Sequence, residues 1–284
     1  MRLRTSLTAV AIAATAVLAL SACTTTGDTT DPDDVTFEAG TTMAALNEAG
    51  TITIGTKFDQ PLFGLQGLDG NPEGFDVEIG KIIASELGIA EDDIEWVETV
   101  SANREPFIEN GQVDIVVATY TINDERKEVV SFAGPYYQAG QSILVLADNE
   151  DITSEDDLVG QPVCSVTGST PAAMLEEIGA EPVLTDTYSN CLEPLRNGQV
   201  VAVSTDNVIL AGLAAQNEGE FKVVGEPFTE EPYGIGLALD DTEFRMWIND
   251  VLEASYADGR YEQAWNDTAG AVLPFVEPPA PDRY

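Results

Sequence analysis

The chain combines short continuous apolar runs with longer stretches in which an apolar residue recurs every three or four positions. The short runs predict strands at 51–54, 93–97, 113–118 and 163–166. The helical spacing predicts helices at 74–87, 104–109 and 192–196, and one or two helices across 242–265 with a break at 258–259. The run 113–118, apolar except for Asp114, is typical of a buried parallel strand, which requires crossover helices. In the helix at 74–87, Asp76 is the expected N-cap.

One four-residue sequence, Asn-Gly-Gln-Val, occurs at 110–113 and again at 197–200. Each copy follows a predicted helix, opens an apolar strand and leads to hydroxyl-bearing residues. A chance match of four residues would not repeat this order, so the pattern favours two similar α/β lobes. In open parallel sheets ligands bind beyond the carboxyl ends of the strands, which makes the polar loop in each lobe a candidate site.

Two extended apolar runs, 142–146 and 233–239, are predicted to connect the lobes. The first lobe is expected to comprise 37–143 together with 235–284, and the second lobe 144–234. Two connecting strands form a hinge, and a hinge between lobes indicates closure around a ligand. The proline-rich tail, 277–284, is predicted to be irregular.

The N-terminus has the layout of an export signal. Arg2 and Arg4 precede an apolar run at 7–20, which is shorter than the ~20 residues of a membrane-spanning helix. Leu20-Ser21-Ala22-Cys23 resembles a bacterial lipobox, which implies a lipoprotein signal peptide at 1–22 and lipidation of Cys23. An ordinary cleaved signal with an incidental cysteine is the alternative. Residues 23–36 are rich in Thr, Asp, Pro and Gly and are expected to form a flexible tether.

The composition excludes several classes of function. The chain carries 50 acidic and 12 basic residues, a net charge of −38 and no histidine. Binding to nucleic acid or to anionic lipid requires clustered basic residues, and this charge argues against both. Without histidine, Ser-His and Cys-His catalysis are excluded, and no metal or cofactor is expected. Cys164 and Cys191 form either one disulfide or two buried thiols, and an exported chain permits the bridge.

Three of the scarce basic residues follow predicted strands of the first lobe. Lys57 follows 51–54, Arg104 follows 93–97 and Arg126 follows 113–118. The carboxyl ends of parallel strands share one edge of a sheet, so all three are expected on the same rim. Each alone could be a surface cation paired with an acid, but three at strand ends indicate an anion site.

The second lobe offers groups for both charges of an amino acid. Thr170 is the expected N-cap of a helix with Pro171 at its first position, and the free amide groups of Ser169 and Thr170 can bind a carboxylate. Asp206, at the end of the second repeated strand, can bind an ammonium group.

These groups together fit a bound amino acid. Arg126 and the amides of 169–170 would hold its α-carboxylate, and Asp206, with Thr119 and Thr121, its ammonium group. Lys57 and Arg104 remain for the side chain, which favours glutamate or aspartate over glutamine. Charge-assisted hydrogen bonds contribute roughly 1.5–3 kcal/mol each, enough to separate a carboxylate from an amide.

Several segments resemble the extracellular solute-binding proteins of family 3, which bind polar amino acids for ABC importers. The segments are Gly-Phe-Asp-Val-Glu-Ile at 74–79, Thr-Tyr-Thr-Ile-Asn-Asp-Glu-Arg-Lys at 119–127 and Ser-Phe-Ala-Gly-Pro-Tyr-Tyr at 131–137. The resemblance covers 37–270. It implies an α/β, two-lobed periplasmic-binding-protein-like fold of type II, with a mixed sheet and flanking helices in each lobe and two hinge strands. It also implies that Arg126 binds the α-carboxylate and Asp206 the α-amino group.

The segment 101–106, with Ser101 and Arg104, is most similar, together with Lys57, to the glutamate-binding or glutamate/aspartate-binding members. Glutamine-type relatives tend to place an aromatic residue in the first loop, where this chain has Thr56-Lys57-Phe58-Asp59.

The sequence therefore predicts a monomeric receptor, lipid-anchored on the extracellular face of the cell membrane, that delivers glutamate or aspartate to an ABC permease. It is not expected to be an enzyme or to bind nucleic acid. One alternative is an exported dehydratase or peptidoglycan lyase on the same fold, indicated by a cleft carboxylate of raised pKa that contacts no ammonium group. Others are a receptor for glutamine or another polar amino acid, and a sensor or adhesin without an importer.

Overall fold

The computed structural model describes residues 35–284. The predicted signal peptide at 1–22, Cys23 and the tether as far as residue 34 lie outside the described residues. Within 35–284, every helix is too short or too polar to cross a membrane.

The described residues form eight α-helices and thirteen strands. The helices are α1 (Thr42–Ala49), α2 (Phe75–Glu86), α3 (Arg104–Glu109), α4 (Thr170–Glu177), α5 (Leu192–Arg196), α6 (Asn207–Gln216), α7 (Thr242–Asp258) and α8 (Arg260–Asp267). The strands are β1 (Ile52–Thr56), β2 (Asp59–Gln60), β3 (Gly64–Gln66), β4 (Pro72–Glu73), β5 (Ile94–Glu98), β6 (Ile115–Val116), β7 (Ser131–Ala139), β8 (Gln141–Leu146), β9 (Pro162–Val166), β10 (Glu181–Thr185), β11 (Ala202–Asp206), β12 (Phe221–Val224) and β13 (Glu231–Leu237).

Two five-stranded mixed sheets define two lobes. The first lobe is built on a sheet of order β5-β1-β6-β13-β7 and the second on a sheet of order β10-β9-β11-β8-β12. In each sheet the first three strands are parallel, and the last two run antiparallel to their neighbours. A small antiparallel sheet, β2-β3-β4, packs against α2 of the first lobe. The predicted two-lobed α/β fold is confirmed.

The repeated Asn-Gly-Gln-Val sequence marks equivalent places in the two lobes. One copy follows α3 and leads into β6, the other follows α5 and leads into β11, and both strands are central in their sheets. Strand β6 is shorter than predicted. The Asp114 carboxylate replaces a backbone partner by accepting a hydrogen bond from the Thr53 amide at 2.7 Å, and Thr119 turns the chain with a φ of 44°.

The chain passes between the sheets at two places. It leaves the first sheet at Gly140, between β7 and β8, and returns across 225–230 into β13. The run at 142–146, predicted as a connector, lies within β8 and pairs entirely inside the second sheet, while β13 pairs inside the first. The predicted lobe boundaries, 143/144 and 234/235, stay a prediction.

The first lobe contains a buried aromatic core that explains the Gly-Phe-Asp sequence at 74–76. The Phe75 ring lies edge-on to Trp265 at 5.1 Å, and Tyr137 stacks on the same indole at 5.2 Å. The predicted N-cap of α2 was wrong: Gly74 is the cap residue, and Asp76 lies inside the helix, fully buried. Its carboxylate accepts hydrogen bonds from the Tyr136 hydroxyl and from the Thr119 amide, so it fixes the start of the polar loop after β6.

In the second lobe, Cys164 and Cys191 are joined by a disulfide across 27 residues. It links β9 to the 3-10 turn Tyr188–Cys191, so the alternative of two buried thiols does not hold in this structure.

Candidate ligand-binding cleft

The polar loops of both lobes meet at the carboxyl ends of the parallel strands. They enclose a cavity of about 10 Å³ lined by Ser101, Arg104, Thr119, Thr121, Ser169, Thr170, Pro171, Tyr188, Asp206 and Ile209. Seven of the nine residues predicted for ligand binding are in this lining. Of the other two, Lys57 donates a hydrogen bond to Ser101 of the lining, and Arg126 lines a neighbouring open pocket that shares Ser169 and Thr170 with this cavity.

Two buried guanidinium groups share the ring of Tyr120. The Arg104 guanidinium carbon lies 4.2 Å from the ring centroid, and that of Arg126 lies 5.1 Å away. Arg126 donates hydrogen bonds to the carbonyls of Thr121 at 2.7 Å and Gly168 at 3.1 Å, and Glu105 lies 3.3 Å from its Nε. Burial, and next the charge of Arg104, lower the pKa of Arg126 to about 10. Besides the Glu105 carboxylate, a further negative group close to these two cations, such as a ligand carboxylate, is therefore electrostatically favoured.

Arg104 directs its donors at main-chain carbonyls. Its Nη2 lies 3.3 Å from the Gly168 oxygen, and its Nε and Nη1 donate to Ser101 and to the 118–119 carbonyls. Both arginines of the first lobe thus donate to Gly168 of the second. These contacts hold the lobes together at the cleft.

Lys57 is 3% exposed and sits one hydrogen bond behind the cavity wall, with its Nζ 2.8 Å from the Ser101 hydroxyl. Burial, and next the charge of Arg104, lower its pKa to about 7. A ligand carboxylate close to Ser101 would favour the ammonium form of this lysine, because an opposite charge raises the pKa of an amine.

Asp206 presents one carboxylate oxygen that has no partner among the described residues. Its other oxygen accepts a hydrogen bond of 2.6 Å from the Tyr233 hydroxyl. Burial, and next the charge of Glu231, raise the pKa of Asp206 to about 7, against the hydrogen bond from Tyr233 and the charge of Arg104. A buried acceptor without a donor is costly, and a ligand ammonium group would satisfy it.

The hydroxyl groups of Thr121 and Thr170 bind a residue that sequence reasoning missed. Both donate to Oε2 of Glu231, at 2.6 Å and 2.7 Å, and Thr229 donates to its Oε1 at 2.9 Å. Glu231 is buried at the start of β13 and thus joins the two lobes through their threonines.

The start of α4 differs from the prediction. Ser169 is the N-cap residue, with its hydroxyl accepting from the Ala172 amide, and Thr170 is the first helical residue with Pro171 after it. This register frees the Thr170 hydroxyl for Glu231.

Four residues of the site were not predicted from the sequence: Tyr120, Tyr188, Glu231 and Tyr233. Tyr120 stands between two threonines that were predicted, and Tyr233 opens a run predicted as a connector. Tyr188 and Glu231 had no local signal, because only distant segments bring them to the cleft.

The cleft combines buried cations on the first lobe with a buried carboxylate on the second. This arrangement suits a zwitterion that carries a further anionic group. Asp206 meets the description of a cleft carboxylate with raised pKa, so its titration alone does not separate receptor from enzyme. Within residues 35–284, groups of three or more His, Cys, Asp or Glu side chains that could hold a metal ion are absent.

Comparison with known proteins separates these classes. Residues 52–267 match the family described as bacterial extracellular solute-binding proteins, family 3. The glutamate-binding protein GluB of Corynebacterium efficiens is 44% identical over 258 residues, covering 86% of this chain and 87% of that protein. The ABC transporter glutamine-binding protein GlnH of Bacillus subtilis is 35% identical over 253 residues, covering 88% and 92%.

Among solved structures, an ancestral arginine-binding protein bound to glutamine superimposes with a TM-score of 0.73 at 35% identity, covering 77% of this chain and 97% of that one. The relatives are named as binding proteins, which confirms the prediction that the chain is not an enzyme. The chain belongs to the bacterial extracellular solute-binding proteins, family 3.

Proposed function

We propose that this protein captures an acidic amino acid, glutamate or aspartate, between its lobes and delivers it to an ABC permease. The observation that carries the choice of ligand is Lys57, a buried amine beside Ser101 and Arg104 at the first-lobe wall of the cavity. A neutral amide side chain would leave this cationic wall uncompensated, whereas a carboxylate would neutralise it. The GluB relatives, named for glutamate, support the same choice.

The α-carboxylate and the ammonium group of the ligand have separate partners in this proposal. Arg126 binds the α-carboxylate, taking the ligand oxygens in place of the Gly168 carbonyl, and the amides at 169–170 assist from the start of α4. Asp206 binds the ammonium group through its unpartnered oxygen. Thr119 and Thr121 line the wall between these groups.

Cys23 anchors the protein to the extracellular face of the membrane through attached lipid in this proposal, and residues 24–36 provide the reach to the permease. Two or more acyl chains are needed for stable anchoring, as lipobox processing supplies. The protein acts as a monomer and without a cofactor.

The proposed ligand is tested by a thermal-shift panel of amino acids. A ligand at about 100 times its Kd stabilises a one-site protein by roughly 2.7 kcal/mol, which is visible as a raised midpoint. We expect glutamate or aspartate to give the largest shift. Failure of both to raise the midpoint would rule out the proposed substrate.

The residue assignments are tested by matched substitutions. Arg126→Ala should abolish binding of every amino acid, since the α-carboxylate is common to all. Lys57→Met should weaken glutamate binding by about tenfold or more and glutamine binding far less, because it removes the buried positive charge behind Ser101 that favours a side-chain carboxylate. Lys222→Met, on β12 at the edge of the second sheet, is the control and should change neither affinity. Equal losses of glutamate and glutamine affinity in Lys57→Met would contradict the assignment of Lys57 to the side chain of the ligand.

A further inference from the structure

The tail, Glu277–Tyr284, has no regular secondary structure but is bonded to the first lobe along the outer edge of β7. The Asp282 amide donates to the Gly134 carbonyl at 2.6 Å, and the Phe132 amide donates to the Tyr284 hydroxyl at 3.0 Å. Strand β7 is the last strand of its sheet, so its outer backbone groups need partners from elsewhere. The tail supplies two of them.

The ring of Tyr284 lies between two cations from different elements. The Lys127 Nζ is 4.2 Å from the ring centroid, and the guanidinium carbon of Arg245, on α7, is 3.9 Å from it. Arg245 also bonds to the main-chain oxygen of Tyr284, and Lys127 lies 3.5 Å from the Asp282 carboxylate. Lys127 follows Arg126 in the 3-10 turn Arg126–Glu128. Tyr284 therefore ties the turn that carries Arg126 to α7.

A second set of contacts leads from Tyr284 to the same arginine. The Tyr284 hydroxyl holds the amide of Phe132, and the Phe132 ring packs against Tyr120 with a centroid distance of 4.7 Å. Tyr120 is the ring against which both Arg104 and Arg126 lie. Tyr284 thus contacts the turn of Arg126 directly, through Lys127, and reaches the Tyr120 ring that supports Arg126 through Phe132.

The family match covers residues 52–267. The tail that makes these contacts therefore lies outside the matched residues. Tyr284 is 47% exposed and Arg283 is exposed too, so the two residues differ in their partners rather than in burial. Among the described residues, Arg283 makes only exposed ion pairs, with Asp250 and Glu253 of α7, whereas Tyr284 also contacts Lys127, next to Arg126. Exposed pairs of that type contribute little. The two adjacent residues therefore offer a matched comparison.

We propose that Tyr284 is a positioning residue for Arg126, holding the guanidinium where it meets the α-carboxylate of the ligand. The affinity part of this inference rests on the proposed function, and its structural part does not. The cation–ring contacts restrain the turn, and the hydroxyl contact restrains the strand behind Tyr120. Loss of either loosens Arg126 without touching the ligand.

The structural part is tested by hydrogen exchange of the purified protein without ligand. In Tyr284→Ala the amides of Val129 and Val130, both bonded to the Arg126 carbonyl, should exchange faster than in the wild type. Arg283→Ala should leave them unchanged. Unchanged exchange in Tyr284→Ala would overturn the proposal whatever the protein binds.

The affinity part is tested by titration with glutamate and with glutamine. Tyr284→Ala should weaken both by the same factor, about 3- to 10-fold, because the α-carboxylate is common to both. Tyr284→Phe keeps the ring and loses only the hydroxyl, so its loss should be smaller, and Arg283→Ala should bind like the wild type. A lowered thermal midpoint with unchanged affinity would mean a structural contact only and would overturn the proposal.

A double-mutant cycle with Arg126→Lys separates positioning from general damage. A lysine cannot use the bidentate geometry that Tyr284 is proposed to preserve, so Tyr284→Ala should cost less affinity in that background. Fully additive losses would contradict the proposal. If the wild type binds neither glutamate nor glutamine, the proposed function fails, and the exchange measurement still decides the structural part.

Discussion

At the scale of single residues, the cleft is governed by ionisable groups that burial brings close to neutrality. Lys57 and Asp206 lie on opposite lobes, and burial moves the pKa of each to about 7, downward for the amine and upward for the carboxylate. An amino acid with an acidic side chain needs both in their charged forms. Binding of such a ligand should therefore release a proton from Asp206 where it is protonated and add a proton to Lys57 where it is neutral.

The pH dependence of ligand affinity follows from the lowered pKa of Lys57 and the raised pKa of Asp206. Below about pH 7 Asp206 binds a proton that the ligand ammonium must expel, so affinity for every amino acid should fall as the pH falls. Above about pH 7 Lys57 is neutral and must take up a proton to meet a side-chain carboxylate, so glutamate affinity should fall as the pH rises. Each pH unit beyond the pKa costs up to about tenfold.

Calorimetric titrations between about pH 5.5 and 8 measure this, since ligand ammonium groups stay protonated there. We expect a bell-shaped dependence for glutamate and, for glutamine, a loss on the acid side only. Repeating the titrations at pH 8 in buffers of different ionisation enthalpy should give net proton uptake with glutamate. A glutamate profile that is flat from pH 7 to 8 would contradict the Lys57 assignment.

At the scale of elements, the disulfide fixes the 3-10 turn that leads directly into α5. It joins β9 to the turn Tyr188–Cys191, and Tyr188 lines the cavity. The double variant Cys164→Ser/Cys191→Ser should lower the free energy of unfolding by about 3.5 kcal/mol, as chain entropy gives for a loop of this length. Denaturant unfolding of the oxidised protein and of the variant measures the difference. Equal unfolding free energies would show that the bridge adds no stability.

At the scale of the whole molecule, the cleft is closed. Its cavity of about 10 Å³ has room for about one water molecule, so an amino acid requires the lobes to move apart and close again around it. Besides the arginines at Gly168, the lobes meet where α6 packs on the first-lobe loop between β2 and β3. A Cβ at Gly212 would lie 2.4 Å from the carbonyl oxygen of Pro61, which as backbone cannot swing aside.

Gly212→Ala should therefore hinder closure while favouring the helix that carries it. We expect about a tenfold loss of affinity for all ligands and, by small-angle X-ray scattering, a larger radius of gyration at saturating glutamate than in the wild type. Gln216→Ala, on the exposed side of α6, is the control. Wild-type scattering and affinity in Gly212→Ala would mean that this contact does not limit closure.

Much of this molecule follows from local sequence. Helix α3 has the bounds that spacing and the Asn-Gly stop predict, and the repeated Asn-Gly-Gln-Val indicates the two lobes before any contact is known. Seven predicted residues line the cavity because the carboxyl ends of the parallel strands in one sheet share an edge, so chain position places each residue on the cleft-facing edge of its own lobe.

Contacts between distant segments could not be inferred in this way. The local sequence predicts Asp76 as the N-cap of α2, whereas tertiary packing buries its carboxylate, which accepts a hydrogen bond from the Tyr136 hydroxyl. Glu231 meets Thr121, 110 residues away, and Thr170, 61 residues away, while Tyr284 reaches Phe132 over 152 residues. Local pattern encodes which face of an element is apolar or polar, whereas the partner of a buried charge depends on how the elements fold together. The sequence therefore supplied the cations and the carboxylate of the cleft, and the fold supplied the groups that hold them and set their pKa values.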